Sequence, residues 1–142
     1  MRKTLTIIVI LILAALFATA YEAFDDMLQK KLNPIKYEES VSKYSEAYNV
    51  PEPIIYAVIN TESSFQPDAL SSKGAIGLMQ ITPTAFEWLC MKEGTTRDHL
   101  LLYDPDTNIK YGTFMLSLLQ NEFKNWETVF AAYNAGRGRV NE

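Results

Sequence analysis

The sequence holds one cysteine and one histidine in 142 residues, which excludes a disulfide framework and leaves too few ligands for the usual zinc cage. No metal or cofactor is expected, and Cys90 is read as small core filler. Basic residues are scarce as well. Beyond Ala20, 11 Lys and Arg stand against 17 Asp and Glu, and such an acid excess repels a phosphate backbone, so a nucleic-acid partner is not expected. Nowhere do apolar and polar residues alternate convincingly with period two, so the chain is read as mainly α. There is no internal repeat.

What the chain has in quantity is hydrophobic residues at its beginning. Of the first 24 residues 18 are hydrophobic, against 50 of the other 118, and the latter share is ordinary for a soluble domain. Arg2 and Lys3 precede a run from Leu5 to Ala20, broken only by Thr6 and Thr19, and Glu22, Asp25 and Asp26 follow. That order of charge places the N-terminus inside and the residues after Phe24 outside the cytoplasm. Extended to Tyr21 the run has 17 residues, the short end of the roughly 17 to 25 that a membrane-crossing helix needs. Ala18-Thr19-Ala20 resembles a signal-peptidase site. Residues 1–24 are therefore read as a membrane anchor or a signal peptide cleaved after Ala20. Residues 25–36, which mix charges with Asn33-Pro34, are read as a short linker.

From Tyr37 the pattern is helical. Tyr37, Val41, Tyr44 and Tyr48 recur on one face of a helix that ends near Asn49. Pro51 and Pro53 open a second helix, in which Ile55, Val58, Ile59 and Glu62 share a face. Residues 63–77 carry Pro67, Gly74 and repeated serines and are read as a surface loop. Thr82-Pro83 and Asp104-Pro105 each supply an N-cap and a first-turn proline. The first pair starts a helix to about Met91, stopped by Gly94. The second starts the longest soluble helix, with Ile109, Gly112, Met115, Leu119 and Phe123 on its core face and its end near Lys124. Asn125 caps a last helix, Trp126 to Ala135, stopped by Gly136.

Glu62 is the residue most out of place in this scheme. It continues an apolar helical face and lies in the last turn of its helix, and both desolvation and the negative end of the helix dipole raise a carboxyl pKa. A carboxyl that keeps its proton near neutral pH can act as a general acid. Asp68, Asp104 and Asp106, by contrast, are read as turn, cap and first-turn residues. From position alone Glu62 also fits a frayed helix end pointing into solvent.

Motif context weighs on that choice. In order along the chain stand Glu62-Ser63, the loop residue Ser71, Gly77-Leu78-Met79-Gln80, Asn108-Ile109 with Gly112, and Ala132-Tyr133-Asn134-Ala135-Gly136. These five blocks resemble the lytic transglycosylases of the soluble (SLT) type, and the resemblance spans residues 37–140. It implies a lysozyme-like helical domain that cleaves the MurNAc–GlcNAc β-1,4 bond of peptidoglycan glycan strands. Glu62 would serve as acid and then as base while a 1,6-anhydro ring closes. Ser71, Gln80, Tyr133 and Asn134 would line the substrate cleft, with Tyr133 placed to hydrogen-bond the catalytic carboxyl. Ser63, Gly77, Met79 and Gly136 would be structural residues near the site.

Two readings stand beside that one: a muramidase that lets water attack, and a non-catalytic wall-binding module of an envelope assembly. Arg137 stands where the family commonly has Pro, and Thr82 replaces a frequent Met. The sequence also stops at Glu142, where family members continue into a further helix that closes the cleft, so residues 37–142 are read as a C-terminally truncated domain. The expected location is the extracytoplasmic face of a bacterial envelope.

Overall fold

The computed structural model of the chain describes residues 2–32 and 36–135. It divides into two units, residues 1–36 and residues 37–142. The first contains one helix, α1 (Arg2–Leu32). Its window Thr6–Asp25 is long and apolar enough to cross a membrane. The helix continues past Phe24 to Leu32, so the first part of the span read as a linker is helical. The reason is local: Asp25 to Leu32 contains no glycine, proline or β-branched residue to break a helix already under way.

In the second unit the described residues form α2 (Glu38–Tyr48), α3 (Glu52–Ser63), α4 (Pro83–Glu93), a 3-10 helix (His99–Tyr103), α5 (Pro105–Phe123) and α6 (Trp126–Ala135). Among them there is no strand, only the isolated bridges Leu70 to Ile76 and Ile76 to Ile81. The element borders follow the capping chemistry. The Thr82 hydroxyl accepts the Ala85 N–H at 3.2 Å, and Asp104 accepts both the N–H and the hydroxyl of Thr107 at 2.9 and 2.7 Å. The Asn125 side chain accepts the Glu127 N–H at 2.7 Å. Gly94 closes α4 in the left-handed region at φ 70°. The helix stop expected at Gly136 lies outside the described residues. The 3-10 helix was not anticipated; Asp98 caps it by accepting the Leu100 N–H.

α5 is the central element, packed against α2, α4, α6 and the 3-10 helix. Ile109, Tyr111, Leu116 and Leu119 are buried on it, while Met115 and Phe123, expected on the same face, are partly buried at the edge of the core. Phe86 of α4 meets the Tyr111 ring edge-to-face at 4.7 Å. Cys90 is buried in this core, as read.

Two polar knots fasten α5 to its neighbours. Asp106 accepts hydrogen bonds from Ser40 (2.8 Å) and Tyr44 (2.6 Å) of α2. Glu93, at the end of α4, accepts from Tyr111 at 2.7 Å and pairs with Lys110 at 2.8 Å, and Tyr48 of α2 reaches it at 3.3 Å. Desolvation alone would raise the Glu93 pKa, but Lys110, Tyr111 and Tyr48 outweigh it and hold the carboxyl below its ordinary value.

A carboxyl whose pKa is lower folded than unfolded adds stability above its unfolded pKa, and that stability is lost as pH falls through the folded pKa. Glu93→Gln is accordingly expected to cost roughly 1 kcal/mol at neutral pH, given partial solvent screening of its bonds. Its thermal midpoint should converge on that of the parent below the usual carboxylate range. Midpoints recorded across pH check this, and a gap that widens on acidification contradicts the assignment.

Candidate active site

The site is built at the C-terminal end of α3. Ile55, Val58 and Ile59 are buried on one face of that helix, and the next position on the face brings Glu62 to the margin of the core. The helix ends one residue later, and the chain leaves it through two successive left-handed residues, Ser64 (φ 51°) and Phe65 (φ 63°). Neither is glycine, and such conformations cost on the order of 1–2 kcal/mol each. The strain is stored beside the carboxyl in question.

Residues 63–77 are not simply the surface loop expected. Ala75 and Ile76, and beyond them Leu78, Met79 and Ile81, are buried. A buried loop is tolerable only if its peptide groups find partners, and here side chains from three helices supply them. Asn108 of α5, fully buried, accepts the Met79 N–H at 2.8 Å and donates to the carbonyls of Ile76 (2.9 Å) and Leu102 (2.7 Å). Ser63 of α3 donates to the Leu78 carbonyl at 2.8 Å. Tyr133 of α6 donates to the Met79 carbonyl at 2.7 Å.

Two glycines permit this closeness. A Cβ on Gly77 would overlap the Asn108 amide and lie 2.6 Å from the Leu102 carbonyl, and Gly77 is itself left-handed at φ 76°. A Cβ on Gly112 would collide with the Met79 side chain. Met79 is thus clamped between its own hydrogen bonds and the α5 backbone, beneath the site as expected. Gly136 lies outside the described residues.

Over this clasp opens a cavity of about 480 Å³ whose lining includes Glu62, Ser71, Gln80, Tyr133 and Asn134. All five residues expected in a cleft therefore meet at one. Ser63, Gly77 and Met79 support it from below without lining it. Six further lining residues had not been assigned to the cleft from the sequence: Lys73, Ala75, Ile81, Ala85, Met115 and Ala135. Thr82, singled out as a departure from the family pattern, lines the cavity too while capping α4. Asp68, Asp104 and Asp106 do not line it, so among the described residues Glu62 is its one carboxylate. No group of three or more His, Cys, Asp or Glu side chains is gathered there or elsewhere among the described residues to hold a metal.

Glu62 makes no hydrogen bond or ion pair among the described residues, and desolvation raises its pKa above the ordinary value. Tyr133 does not hydrogen-bond it, contrary to expectation, because the phenol proton is engaged by the Met79 carbonyl. Burial first, and then the nearby Glu62 carboxylate, push the Tyr133 pKa far up, so the phenol stays neutral. Ser71 closes its own loop: its hydroxyl oxygen accepts the N–H groups of Ala75 (3.0 Å) and Lys73 (3.3 Å), which leaves its proton free to donate. Gln80 is left-handed at φ 50° and gives its amide hydrogens to the carbonyls of Gly77 (3.0 Å) and Ala69 (3.2 Å). Its own carbonyl oxygen remains as an acceptor.

A helical domain that carries a lone acid at a helix end, above a loop fastened by buried side chains, has the lysozyme-like SLT fold. Residues 39–142 match the transglycosylase SLT domain, and the chain belongs to that family. It is 34% identical over 139 residues to membrane-bound lytic murein transglycosylase C of Edwardsiella ictaluri, covering 90% of this chain and 38% of that protein. With the Haemophilus influenzae protein of the same name it shares 36% identity over 116 residues, covering 74% and 32%. The chain therefore spans about a third of the length of these curated relatives. Among solved structures, the 70 kDa soluble lytic transglycosylase SLT70 of Escherichia coli matches with a TM-score of 0.71 and 32% identity, over 79% of this chain and 19% of that one. The lytic transglycosylase Slt of Pseudomonas aeruginosa, solved as an inactive Glu-to-Gln mutant, matches with a TM-score of 0.71 and 31% identity, over 80% and 19%.

Asn108 is the residue whose weight the sequence did not convey. Asn108→Ala strips partners from three buried peptide groups, each worth about 1 kcal/mol or more when left unpaired, so a loss of at least about 3 kcal/mol is expected. Denaturant unfolding measures it, and a loss below about 1 kcal/mol would mean the loop is held by its apolar contacts instead.

Proposed function

We propose that residues 37–142 form a peptidoglycan lytic transglycosylase domain, carried on the outer side of a bacterial membrane by α1. The observation that supports this most directly is the single carboxyl in the cavity, half-buried, without a counter-ion, and held toward its protonated form by desolvation. Most hydrolysing glycosidases use two carboxylates roughly 5 to 9.5 Å apart. A site with one suits a reaction in which the same group gives and then recovers a proton.

In that reaction the protonated Glu62 donates to the glycosidic oxygen as the bond to C1 of the muramic acid breaks. The resulting carboxylate takes the proton of the C6 hydroxyl while O6 bonds to C1, closing the 1,6-anhydro ring. No water is consumed, and Glu62 ends protonated as it began. Gln80 and Ser71 offer one acceptor and one donor to the sugar, and Asn134 adds an exposed amide at the rim. Tyr133 stays neutral and fixes the cavity wall. The names of the relatives, membrane-bound lytic murein transglycosylases, support both the reaction and the location, as does the apolar window of α1.

Glu62→Gln is expected to lower turnover of glycan strands by about 10³-fold or more while binding persists. In the parent, turnover should fall as pH rises through the elevated Glu62 pKa, because the acid form is then lost. Mass spectrometry of the products distinguishes the chemistry: anhydro ends lighter by one water support transglycosylation, whereas reducing ends identify a hydrolase.

Membrane attachment has its own check. The full chain should sediment with membranes, remain there after alkaline washing, and expose residues after Lys36 to protease added from the outer side. Quantitative release of a soluble form beginning at Tyr21 identifies a cleaved signal peptide instead.

A further inference from the structure

The cavity lining contains two formally charged side chains, and only Glu62 has a part in the reaction above. The other is Lys73. Its setting is unlike that of the lysines whose roles are visible. Lys43 and Lys110 pair with Asp106 and Glu93, and Lys92 lies over the Trp88 ring at 5.7 Å. Lys73 has no ion-pair or ring partner among the described residues and is exposed at the cavity wall. In a chain with 17 acidic residues against 13 basic ones, an unclaimed cation at the cleft is notable on charge grounds alone.

Nor is Lys73 there to serve Glu62. The two make no ion pair, and desolvation alone acts on the Glu62 carboxyl, whereas an adjacent ammonium would pull its pKa down. The backbone beneath Lys73 is nevertheless held firmly. Ser71 N–H bonds the Ala75 carbonyl at 2.9 Å, Gly74 N–H bonds the Ser71 carbonyl at 2.9 Å, and Lys73 N–H itself bonds the Ser71 hydroxyl oxygen. Gly74, left-handed at φ 77°, completes this tight ring. A lysine on a firmly bonded turn, without an ion-pair partner among the described residues and lining a cleft whose acid does not pair with it, is arranged to attract an anion from outside the protein.

We propose that Lys73 is a specificity residue that pairs with a carboxylate borne by the muramic acid substituent of the glycan strand. The inference rests on the peptidoglycan reading of the cleft. Muramic acid differs from its neighbour sugar by a lactyl ether, which ends in a free carboxylate on naked strands and in a peptide carrying its own carboxylates on substituted ones. Either source presents the same chemistry to an ammonium. Such a pair lets the site tell a muramyl strand from a neutral polymer of N-acetylglucosamine, and being solvent-exposed it contributes affinity on the scale of an exposed ion pair.

The test uses the full chain in detergent with Glu62→Gln as a non-cleaving background, and compares binding of naked muramyl strands, peptide-bearing strands and chitooligosaccharides of equal length. Lys73→Met should reduce the preference for muramyl strands over chitooligosaccharide by about fivefold, and Lys73→Arg should restore it. Raising ionic strength should erode that preference in the Lys73 protein and leave it flat in Lys73→Met. Loss on naked strands names the lactyl carboxylate, and loss confined to peptide-bearing strands names the peptide. An unchanged preference, or an equal loss on all three ligands, overturns the inference while the function stands, provided the parent still yields anhydro products. If no muramyl strand binds at all, the peptidoglycan reading itself falls and takes this one with it.

Discussion

The structure of the second unit depends on how the peptide groups of residues 76–79 are satisfied. A loop pushed under an active site must lose water from its N–H and C=O groups, and each one left unpaired is a penalty comparable to a lost hydrogen bond. Asn108, Ser63 and Tyr133 meet that demand from α5, α3 and α6 respectively. Because one short strip of backbone accepts all three, it fixes the ends of α3 and α6 relative to α5. Glu62 and Tyr133 are adjacent in sequence or identical to residues in that strip of bonds, so the geometry of the cleft and the satisfaction of the loop are the same constraint.

The electrostatics of Glu62 follow from this arrangement. Three donors around the cleft are committed elsewhere: Tyr133 to Met79, Ser63 to Leu78, the Gln80 amide to Gly77 and Ala69. The carboxyl is left with partial burial and nothing to stabilise its charge, which raises its pKa without any opposing partner. Glu93 is the contrast within the same fold. It too is desolvated, yet three donors converge on it and its pKa moves the other way.

Much of this was legible in the sequence because it is local chemistry. Thr82, Asp104 and Asn125 cap the helices they were read to cap, and Gly94 stops its helix, since caps act over three or four residues. The five motif blocks brought Glu62, Ser71, Gln80, Tyr133 and Asn134 to one cavity. What the sequence did not convey was long-range or conformational. The bonds of Asn108 to Ile76 and of Tyr133 to Met79 cross 32 and 54 residues, and no periodicity encodes them. The left-handed turns at Ser64, Phe65 and Gln80 fall on residues that ordinarily avoid that region, so composition pointed to a plain surface loop. Extension of α1 to Leu32 was hidden by charge, which marks the end of a hydrophobic run but not the end of a helix.

The clasp separates two tasks among neighbouring residues. Ser63, Asn108 and Gly112 hold the loop from beneath and do not reach the cavity, while Ser71, Lys73, Thr82 and Asn134 face it and carry little of the fold's internal bonding beyond their own turns. Substrate preference in such a scaffold can drift by exchange of wall residues without reopening the problem of how the wall is held.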